Sequence, residues 1–180
     1  MVEGRRLGAS GIAVGSAPVA YRLDYQLETI DDFITSALIV NTRGEGWSRT
    51  LDLRRSPSGG WTIRTEAAGF LALPEPGGGV PALSEALDCD LGLSPLTNSM
   101  PVLRHGLLRG GGPIDFLVAW VSVPGLAVHA SRQQYAFIRA DGDGAIVRYR
   151  SLDSDFTADL SFDADGLVID YPGIGRRIGG

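Results

Sequence analysis

The sequence predicts a mostly β fold: a single curled antiparallel sheet, of the β-roll or half-barrel kind, with at most one or two short helical turns. Apolar and polar residues alternate with a period of two in many short segments, as in strands that bury one face. Turn-forming residues separate these segments, and the 180 residues include 25 glycines and 10 prolines. No long segment has the periodicity of an amphipathic helix. Serial hairpins form a sheet that curls to limit its exposed edges, which favours a roll.

The alternation is clearest at 156–162 and at 47–53. In the first segment apolar residues occupy alternate positions, with polar residues between them. In the second, Trp47, Leu51 and Leu53 lie on one predicted face. Each segment therefore has the pattern of a half-buried strand. Further strands are expected at about 3–8, 12–28, 33–42, 61–64, 102–109, 114–123, 126–139, 145–150 and 167–171.

Asp-Gly sequences predict the hairpin loops. Residues 141–144 (Asp-Gly-Asp-Gly) and 163–166 (Asp-Ala-Asp-Gly) each join two predicted strands, and glycine reaches the positive φ that tight loops need. Residues 56–60 (Ser-Pro-Ser-Gly-Gly) predict another turn. The Pro- and Gly-rich segment 73–82 is expected to be a loop within the domain, because neither flank is clearly a complete fold. We therefore expect residues 1–180 to form one domain.

Ser94 and Pro95 predict the start of one helical turn, with serine at the N-cap and proline at the first helical position. Pro101 is expected to end that turn, because proline cannot donate the backbone hydrogen bond of a helix interior.

The charge pattern excludes several classes of partner. All 16 basic residues are arginine, the net charge is −5, and no basic stripe is present. Binding to nucleic acid or to an anionic membrane surface is therefore disfavoured. No run reaches the roughly 18–20 apolar residues that cross a bilayer, so no integral membrane span is expected. The N-terminus has an acid in its charged region and glycines in its apolar region, so we expect a cytoplasmic protein without a cleaved signal peptide.

Few residues could bind a metal or act as nucleophiles. Cys89 is the single cysteine, and His105 and His129 are the two histidines. We expect neither a metal site nor a cofactor, and without lysine no phosphate-binding loop of the usual kind is possible. The acids beside Cys89 disfavour its thiolate, so a buried structural role is expected for this residue.

Asp88 and Asp90 are the strongest candidates for chemistry. Two residues apart on a strand, they share one face at about 7 Å. On that face they could form an acid–base pair or bind a cation. The interpretation we favour is that both are solvated on the outer face while Cys89 and Leu91 face the core. Asn98 lies in a turn, where a structural role is favoured over a chemical one.

The concave face of a curled sheet can form an apolar cavity with a few polar groups. Aromatic residues of the C-terminal strands would line it, although most are expected to be core, and arginines could contact a phosphate or carboxylate head group. On the alternative interpretation these arginines only solubilise the outer face. The predicted ligand-binding set is Asp88, Asp90, Asn98, Arg104, Trp120, Tyr135, Arg148 and Tyr171.

Several separated motifs together resemble one bacterial family. Residues 87–101 contain an Asp-x-Asp pair followed by Ser-Pro-x-Thr-Asn and a later proline. Val-Ala-Trp-Val follows at 118–121, Gln-Tyr at 134–135, Val-Arg-Tyr at 147–149, and Gly-Leu-Val-Ile-Asp-Tyr-Pro-Gly at 166–173. In order and spacing these motifs resemble the family of putative glycolipid-binding proteins over most of the chain.

The resemblance implies a spiral β-roll or half-barrel, likened to carriers that hold lipoprotein acyl chains, with a cavity for a lipid-like ligand. The leading hypothesis is non-catalytic binding of a hydrophobic or amphipathic, glycolipid-like small molecule. The alternative is a cyclase- or isomerase-type enzyme that uses the same cavity with Asp88 or Asp90 as acid or base. A third class is a protein-interaction module without a cavity. The sequence names neither the ligand nor the oligomeric state.

Overall fold

The mostly β prediction is confirmed by the computed structural model, which describes residues 2–179. Within that range the chain forms thirteen strands and four short helical segments. The strands form two sheets, whereas the sequence predicted a single one. The chain leaves the first sheet through 73–82, where Pro74 and Pro76 cannot donate hydrogen bonds to a ladder. The second sheet begins after this loop.

The first sheet is an antiparallel meander that curls into a half-barrel. Its strands are β1 (Val2–Glu3), β2 (Arg6–Gly15), β3 (Tyr21–Thr29), β4 (Thr35–Gly44), β5 (Trp47–Arg55) and β6 (Trp61–Gly69). The strand predicted at 12–28 is therefore two strands, because residues 16–20 form a turn. The predicted turn at 56–60 joins β5 to β6.

The second sheet is antiparallel except at one edge, where β7 pairs with β8 in parallel. Its strands are β7 (Asp88–Leu91), β8 (Ile114–Val121), β9 (Val128–Asp141), β10 (Gly144–Ser151), β11 (Thr157–Phe162), β12 (Val168–Tyr171) and β13 (Gly175–Arg176). The hairpin loops predicted from the Asp-Gly sequences lie between β9 and β10 and between β11 and β12, as expected.

The helical segments are short. Three are 3₁₀ turns, at Asp31–Phe33, Val80–Leu83 and Pro95–Asn98, and one is an α-helix, α1 (Ser99–Arg104). Ser94 is the N-cap residue of the third 3₁₀ turn, as predicted, although its side chain makes no capping bond.

The strand predicted at 102–109 is wrong, because 102–104 belong to α1 and turns follow. The prediction that Pro101 ends the helical turn is also wrong. Pro101 is the third residue of α1, in the first turn of the helix, where a backbone N–H has no intrahelical partner and its absence costs little. Met100 and Val102 of α1 are fully buried, so their apolar pattern reflects a packed helix and not a strand.

One hydrophobic cluster joins the two sheets. It contains Leu38 and Leu53 of the first sheet together with Leu91 and Val121 of the second. A further cluster lies within the second sheet and includes Val102 of α1. The shared cluster fixes the position of β7, the strand that carries the two candidate aspartates.

Arg49 anchors the loop between the sheets. It lies on the same face of β5 as Trp47 and is 3% exposed. One terminal nitrogen donates to the carbonyl oxygens of Gly125, at 2.7 Å, and of Pro74, and the other donates to Leu73 at 3.2 Å. This buried guanidinium therefore ties the loop to the turn before β9.

Candidate functional site

A cavity of about 680 Å³ opens between the β7 end of the second sheet, its later strands and the segment that follows β7. The apolar side chains of its lining include Leu91, Trp120, Tyr149, Phe156, Tyr171 and Ile174. The polar side chains of its lining include Asp90, Ser94, Asn98, Ser131, Ser151, Asp153 and Ser154. Its volume lies within the range of small-molecule sites.

Strand register brings part of this lining together. Asp90 pairs with Trp120 across β7 and β8, and Trp120 pairs with His129 across β8 and β9. Neighbours in register present their side chains on the same face of a sheet. The three residues therefore form one row on the cavity side, where the rings of Trp120 and His129 lie 4.7 Å apart.

The apolar side chains of the lining include a cluster of three aromatic rings. The ring centroids of Tyr149 and Phe156 are 5.9 Å apart, those of Tyr149 and Tyr171 are 6.1 Å apart, and those of Phe156 and Tyr171 are 6.3 Å apart. Burial raises the pKa of Tyr149 and of Tyr171 above the usual value, and the carboxylate of Asp90 adds to both shifts. Both phenols are therefore neutral hydrogen-bonding groups at neutral pH.

Asp90 lines the cavity and is held by two donors. Thr97 Oγ1 donates to Oδ1 at 2.7 Å, and Gln133 Nε2 donates to Oδ2 at 2.6 Å. Burial raises the pKa of Asp90, and these hydrogen bonds oppose the shift. Both oxygens keep acceptor capacity, because each carboxylate oxygen can accept two hydrogen bonds.

The buried hydroxyl of Tyr135 contacts two of the side chains around Asp90. Tyr135 is 1% exposed, and its hydroxyl lies 2.8 Å from Asn98 Oδ1 and 3.2 Å from Gln133 Oε1. These contacts orient Asn98, which lines the cavity, and Gln133, which holds Asp90.

Asp88 lies behind the cavity, in a buried ion pair with Arg104. The side chains are 2% and 8% exposed, and Arg104 Nη2 donates to Asp88 Oδ2. Burial raises the pKa of Asp88 to about 6, and the Arg104 charge opposes this shift. The residue is therefore mostly ionised at neutral pH.

The favoured interpretation, that both acids are solvated on the outer face, is wrong. Cys89 and Leu91 do face the core, as expected. However, the segment 95–104 folds over the other face of β7 and brings Thr97 to Asp90 and Arg104 to Asp88. Asp88 is therefore buried, and Asp90 is partly buried in the lining of the cavity instead of lying on an outer face.

Cys89 has the buried position that the sequence predicted. Its backbone N–H donates to Thr35 Oγ1 at 2.9 Å, and that hydroxyl lies 3.5 Å from the sulfur. Burial raises the pKa of the Cys89 thiol to about 12. At neutral pH it is an un-ionised thiol without nucleophilic character.

Four of the eight predicted ligand-binding residues line the cavity, namely Asp90, Asn98, Trp120 and Tyr171. Tyr135 lies beneath it, and Asp88 and Arg104 form the ion pair behind it. Arg148 lies on the exposed side of β10 and pairs with Asp159 of β11 at 2.7 and 2.9 Å.

His129, Ser131 and Asp153 line the cavity but are not among the ligand-binding residues that the sequence predicts. His129 and Ser131 are two apart on β9, and this spacing could have placed them on one face. Asp153 lies in the turn after β10 and accepts hydrogen bonds from Ser131 Oγ at 3.0 Å and from the Arg132 backbone at 2.7 Å. Only the fold brings that turn over β9.

Among residues 2–179, no three histidine, cysteine or acidic side chains are grouped so that they could hold a metal ion. In the same range, no helix has the length and apolar character required to cross a membrane.

The fold and motifs were compared with known proteins. No curated protein matches the chain. The crystal structure of a DUF1089 family protein from Pseudomonas aeruginosa matches with a TM-score of 0.75 and 28% sequence identity, over 99% of this chain and 89% of that one. The sequence model of the family described as "Putative glycolipid-binding" matches residues 1–177. Since this match spans nearly the whole sequence, as the motif resemblance predicted, the chain belongs to the putative glycolipid-binding family.

Proposed function

We propose that the protein binds an amphipathic, glycolipid-like small molecule in the cavity, in the cytoplasm and without altering the molecule. The observation that carries this proposal is that the lining of one cavity combines a cluster of aromatic rings with hydroxyls and carboxylates. An amphipathic molecule needs both kinds of group. The family description supports the same class of ligand.

The apolar and the polar side chains of the lining would contribute differently to binding. The rings of Tyr149, Phe156 and Tyr171 would cover apolar parts of the ligand, at about 25 cal/mol for each Å² removed from water. Asp90 and Asp153 can accept hydrogen bonds from ligand hydroxyls, and hydrogen bonds to an ionised acceptor are the stronger kind. Burial of the apolar part of the ligand therefore supplies most of the affinity, and the polar side chains orient the head group.

The charge of the lining favours a neutral or cationic head group. Among the described residues that line the cavity are two carboxylates and no arginine. The sequence analysis had suggested arginines as partners of a phosphate or carboxylate, but Arg104 is paired with Asp88 and Arg148 with Asp159. A sugar-like head group with many hydroxyls fits this lining better than an anion.

Native mass spectrometry of the protein purified from bacterial cells tests the proposal. We expect an additional mass that organic solvent releases, and that chromatography and fragmentation identify as an amphipathic molecule. Ser131→Trp places an indole in the cavity and should abolish the additional mass. Ser48→Trp, at an exposed position of β5, is the matched control and should retain it. If the wild-type protein carries no such mass and binds no added octyl glucoside, the proposal is wrong.

Asp90 favours a second candidate function, acid–base catalysis on a molecule bound in the same cavity. Its carboxyl group lines the cavity and its pKa is raised, which brings it closer to the range that suits a general acid or base. The cluster of aromatic rings would hold a flexible substrate in a reactive conformation, as a cyclase or isomerase requires.

Comparison of the molecules bound to wild-type protein and to Asp90→Asn separates the two functions. A catalyst that loses its acid or base should retain the unreacted substrate, so the two proteins would yield chemically different molecules. A binding protein should yield the same molecule from both. Identical molecules from both proteins would exclude Asp90 as a catalytic residue.

A further inference from the structure

We propose that a second depression, adjacent to the cavity, is a separate subsite for the hydrocarbon chain of the ligand; this inference rests on the binding function proposed above. This depression, the groove, has a volume of about 510 Å³. It lies between the edge formed by β2 and β3 and the segment 91–95. The ligand would place its polar head in the cavity and its chain in the groove.

The cavity and the groove are continuous. Six residues line both of them: Leu91, Gly92, Leu93, Ser94, Val123 and Ile174. The tight turn at 91–94 lies between the two spaces and is closed by a hydrogen bond from the backbone N–H of Ser94 to the carbonyl oxygen of Leu91 at 3.0 Å. Leu93 on this turn is 60% exposed and contributes to both linings. One ligand can therefore contact both spaces across this turn.

The chemistry of the groove differs from that of the cavity. Among the described residues that line the groove there is no aspartate, glutamate, arginine or histidine, whereas the cavity has Asp90, Asp153 and His129. On the β2–β3 side the groove is lined by Ala13, Leu23 and the rings of two tyrosines. A lining without charged groups suits a hydrocarbon chain, whose transfer from water is favourable and needs no polar partner.

Glycines in β2 allow the tyrosine rings to lie against the strand. A Cβ atom at Gly11 would lie 2.6 Å from the ring of Tyr25, and one at Gly15 would lie 2.4 Å from the ring of Tyr21. The rings therefore cover the strand where a side chain would otherwise stand. Between the two glycines, Ala13 pairs with Leu23 and lies on the same side of the sheet.

The groove is open at the edge of the first sheet. β1 pairs with β2 at Leu7 and Arg6, and on the side away from β3 no strand among residues 2–179 pairs with β2 at 12–15. Ile12 and Val14 at the rim are 62% and 79% exposed, and their side chains point to the face of β2 opposite Ala13. A chain would enter the groove at this open edge.

Binding of butyl glucoside and octyl glucoside by isothermal titration calorimetry tests the subsite. The two probes share a head group and differ in chain length. For the wild-type protein we expect tighter binding of octyl glucoside, by about fourfold for each methylene that becomes buried. Ala13→Glu introduces a charge into the groove and should remove most of this increase in affinity with chain length. The neutral Ala13→Gln should remove less of the increase. Both variants should bind butyl glucoside as the wild type does.

The control is Ala68→Glu, the same substitution at an exposed position on β6 that lines neither space. This variant should keep the full increase in affinity from butyl glucoside to octyl glucoside. If Ala13→Glu also preserves that increase, the chain lies elsewhere and the subsite is wrong, while the cavity proposal stands. If the wild-type protein binds neither glucoside, the binding function itself fails.

Discussion

The ion pair between Asp88 and Arg104 is the most unusual feature at the residue scale. Both side chains are buried, yet Asp88 Oδ1 and Arg104 Nε and Nη1 have no hydrogen-bond partner among the described residues. Burial of two charges costs free energy that their attraction recovers only when the remaining polar atoms are also satisfied. The raised pKa of Asp88 shows that desolvation outweighs the attraction of Arg104 here.

The first prediction is that the stability of Asp88→Asn relative to the wild type rises as the pH increases from about 4 to about 7.5. Asp88 has a folded-state pKa of about 6, above the value of about 3.9 expected in the unfolded chain. The folded state therefore binds the proton more tightly, and the contribution of Asp88 to stability falls as pH rises from about 4 to about 6. Asparagine resembles the neutral acid and has no such dependence.

Urea unfolding of both proteins between about pH 4 and pH 7.5 measures this effect. The stability of the variant relative to the wild type should fall towards about pH 4, where Asp88 is close to half-protonated or more in both states. Asp143→Asn, in an exposed hairpin loop, serves as the control and should show no such trend. A relative stability that stays constant with pH, or that rises towards about pH 4, would contradict the prediction.

The second prediction concerns Arg49, whose side chain connects the loop between the sheets to the turn before β9. Arg49→Met should lower the free energy of unfolding by roughly 2–4 kcal/mol, because the buried carbonyl oxygen of Gly125 and the partly buried ones of Leu73 and Pro74 lose their donor. Urea denaturation measures the loss, with Arg64→Met at an exposed position of β6 as the control. A loss below about 1 kcal/mol would show that the loop does not depend on this residue.

At the scale of elements, the turn at 91–94 is the most informative segment, because it lies between the cavity and the groove. Leu93 in this turn has a φ of 61°, a conformation that costs an L-amino acid roughly 1–2 kcal/mol and glycine almost nothing. A strained residue beside a proposed site suggests that its side chain contributes to binding more than to folding.

The third prediction is that Leu93→Gly unfolds within about 1 kcal/mol of the wild type, because relief of the positive φ offsets the flexibility of glycine. Octyl glucoside should bind several-fold more weakly, because the wall shared by the cavity and the groove is lost. Thermal unfolding and calorimetry measure the two effects. Leu152→Gly, which lines neither space, should preserve binding; unchanged binding in Leu93→Gly would contradict the prediction.

Most hairpins could be predicted from the sequence, and the helix and the buried arginine could not. The Asp-Gly loops and the period-two alternation are local signals, so they survive in the fold. The apolar residues near 102 were assigned to a strand because a short apolar run does not distinguish a strand from a buried helix. Arg49 interrupts an apolar face, and its carbonyl partners at 73–74 and 125 become visible only once the chain is folded.

At the scale of the whole molecule, the hydrophobic cluster shared by the two sheets predicts one cooperative unfolding transition. This fourth prediction tests the expectation of a single domain. Trp47 and Trp61 report on the first sheet and Trp120 on the second. Variants that retain tryptophan in one sheet only should give fluorescence transitions in urea that coincide with the circular dichroism transition. Two separated midpoints would mean that the sheets unfold independently.

The fifth prediction concerns the charge of the ligand. Because the cavity has two carboxylates and the chain a net charge of −5, octyl glucoside should bind at least about tenfold more tightly than octanoate near pH 7.5. Addition of salt should narrow the difference, because ions screen the repulsion. Calorimetry with both probes measures it. Equal affinities would show that the carboxylates do not select the head group.

The sequence by itself determined the mostly β class, the positions of most strands and hairpin loops, and the family. These depend on alternation, turn residues and motifs that lie close together along the chain. Only the tertiary structure decided that the strands form two sheets, that Asp88 is buried while Asp90 lines a cavity, and that aromatic and acidic residues share that cavity. The physical reason is that a residue's environment depends on what covers it: here 95–104 covers β7 through contacts that no local pattern encodes.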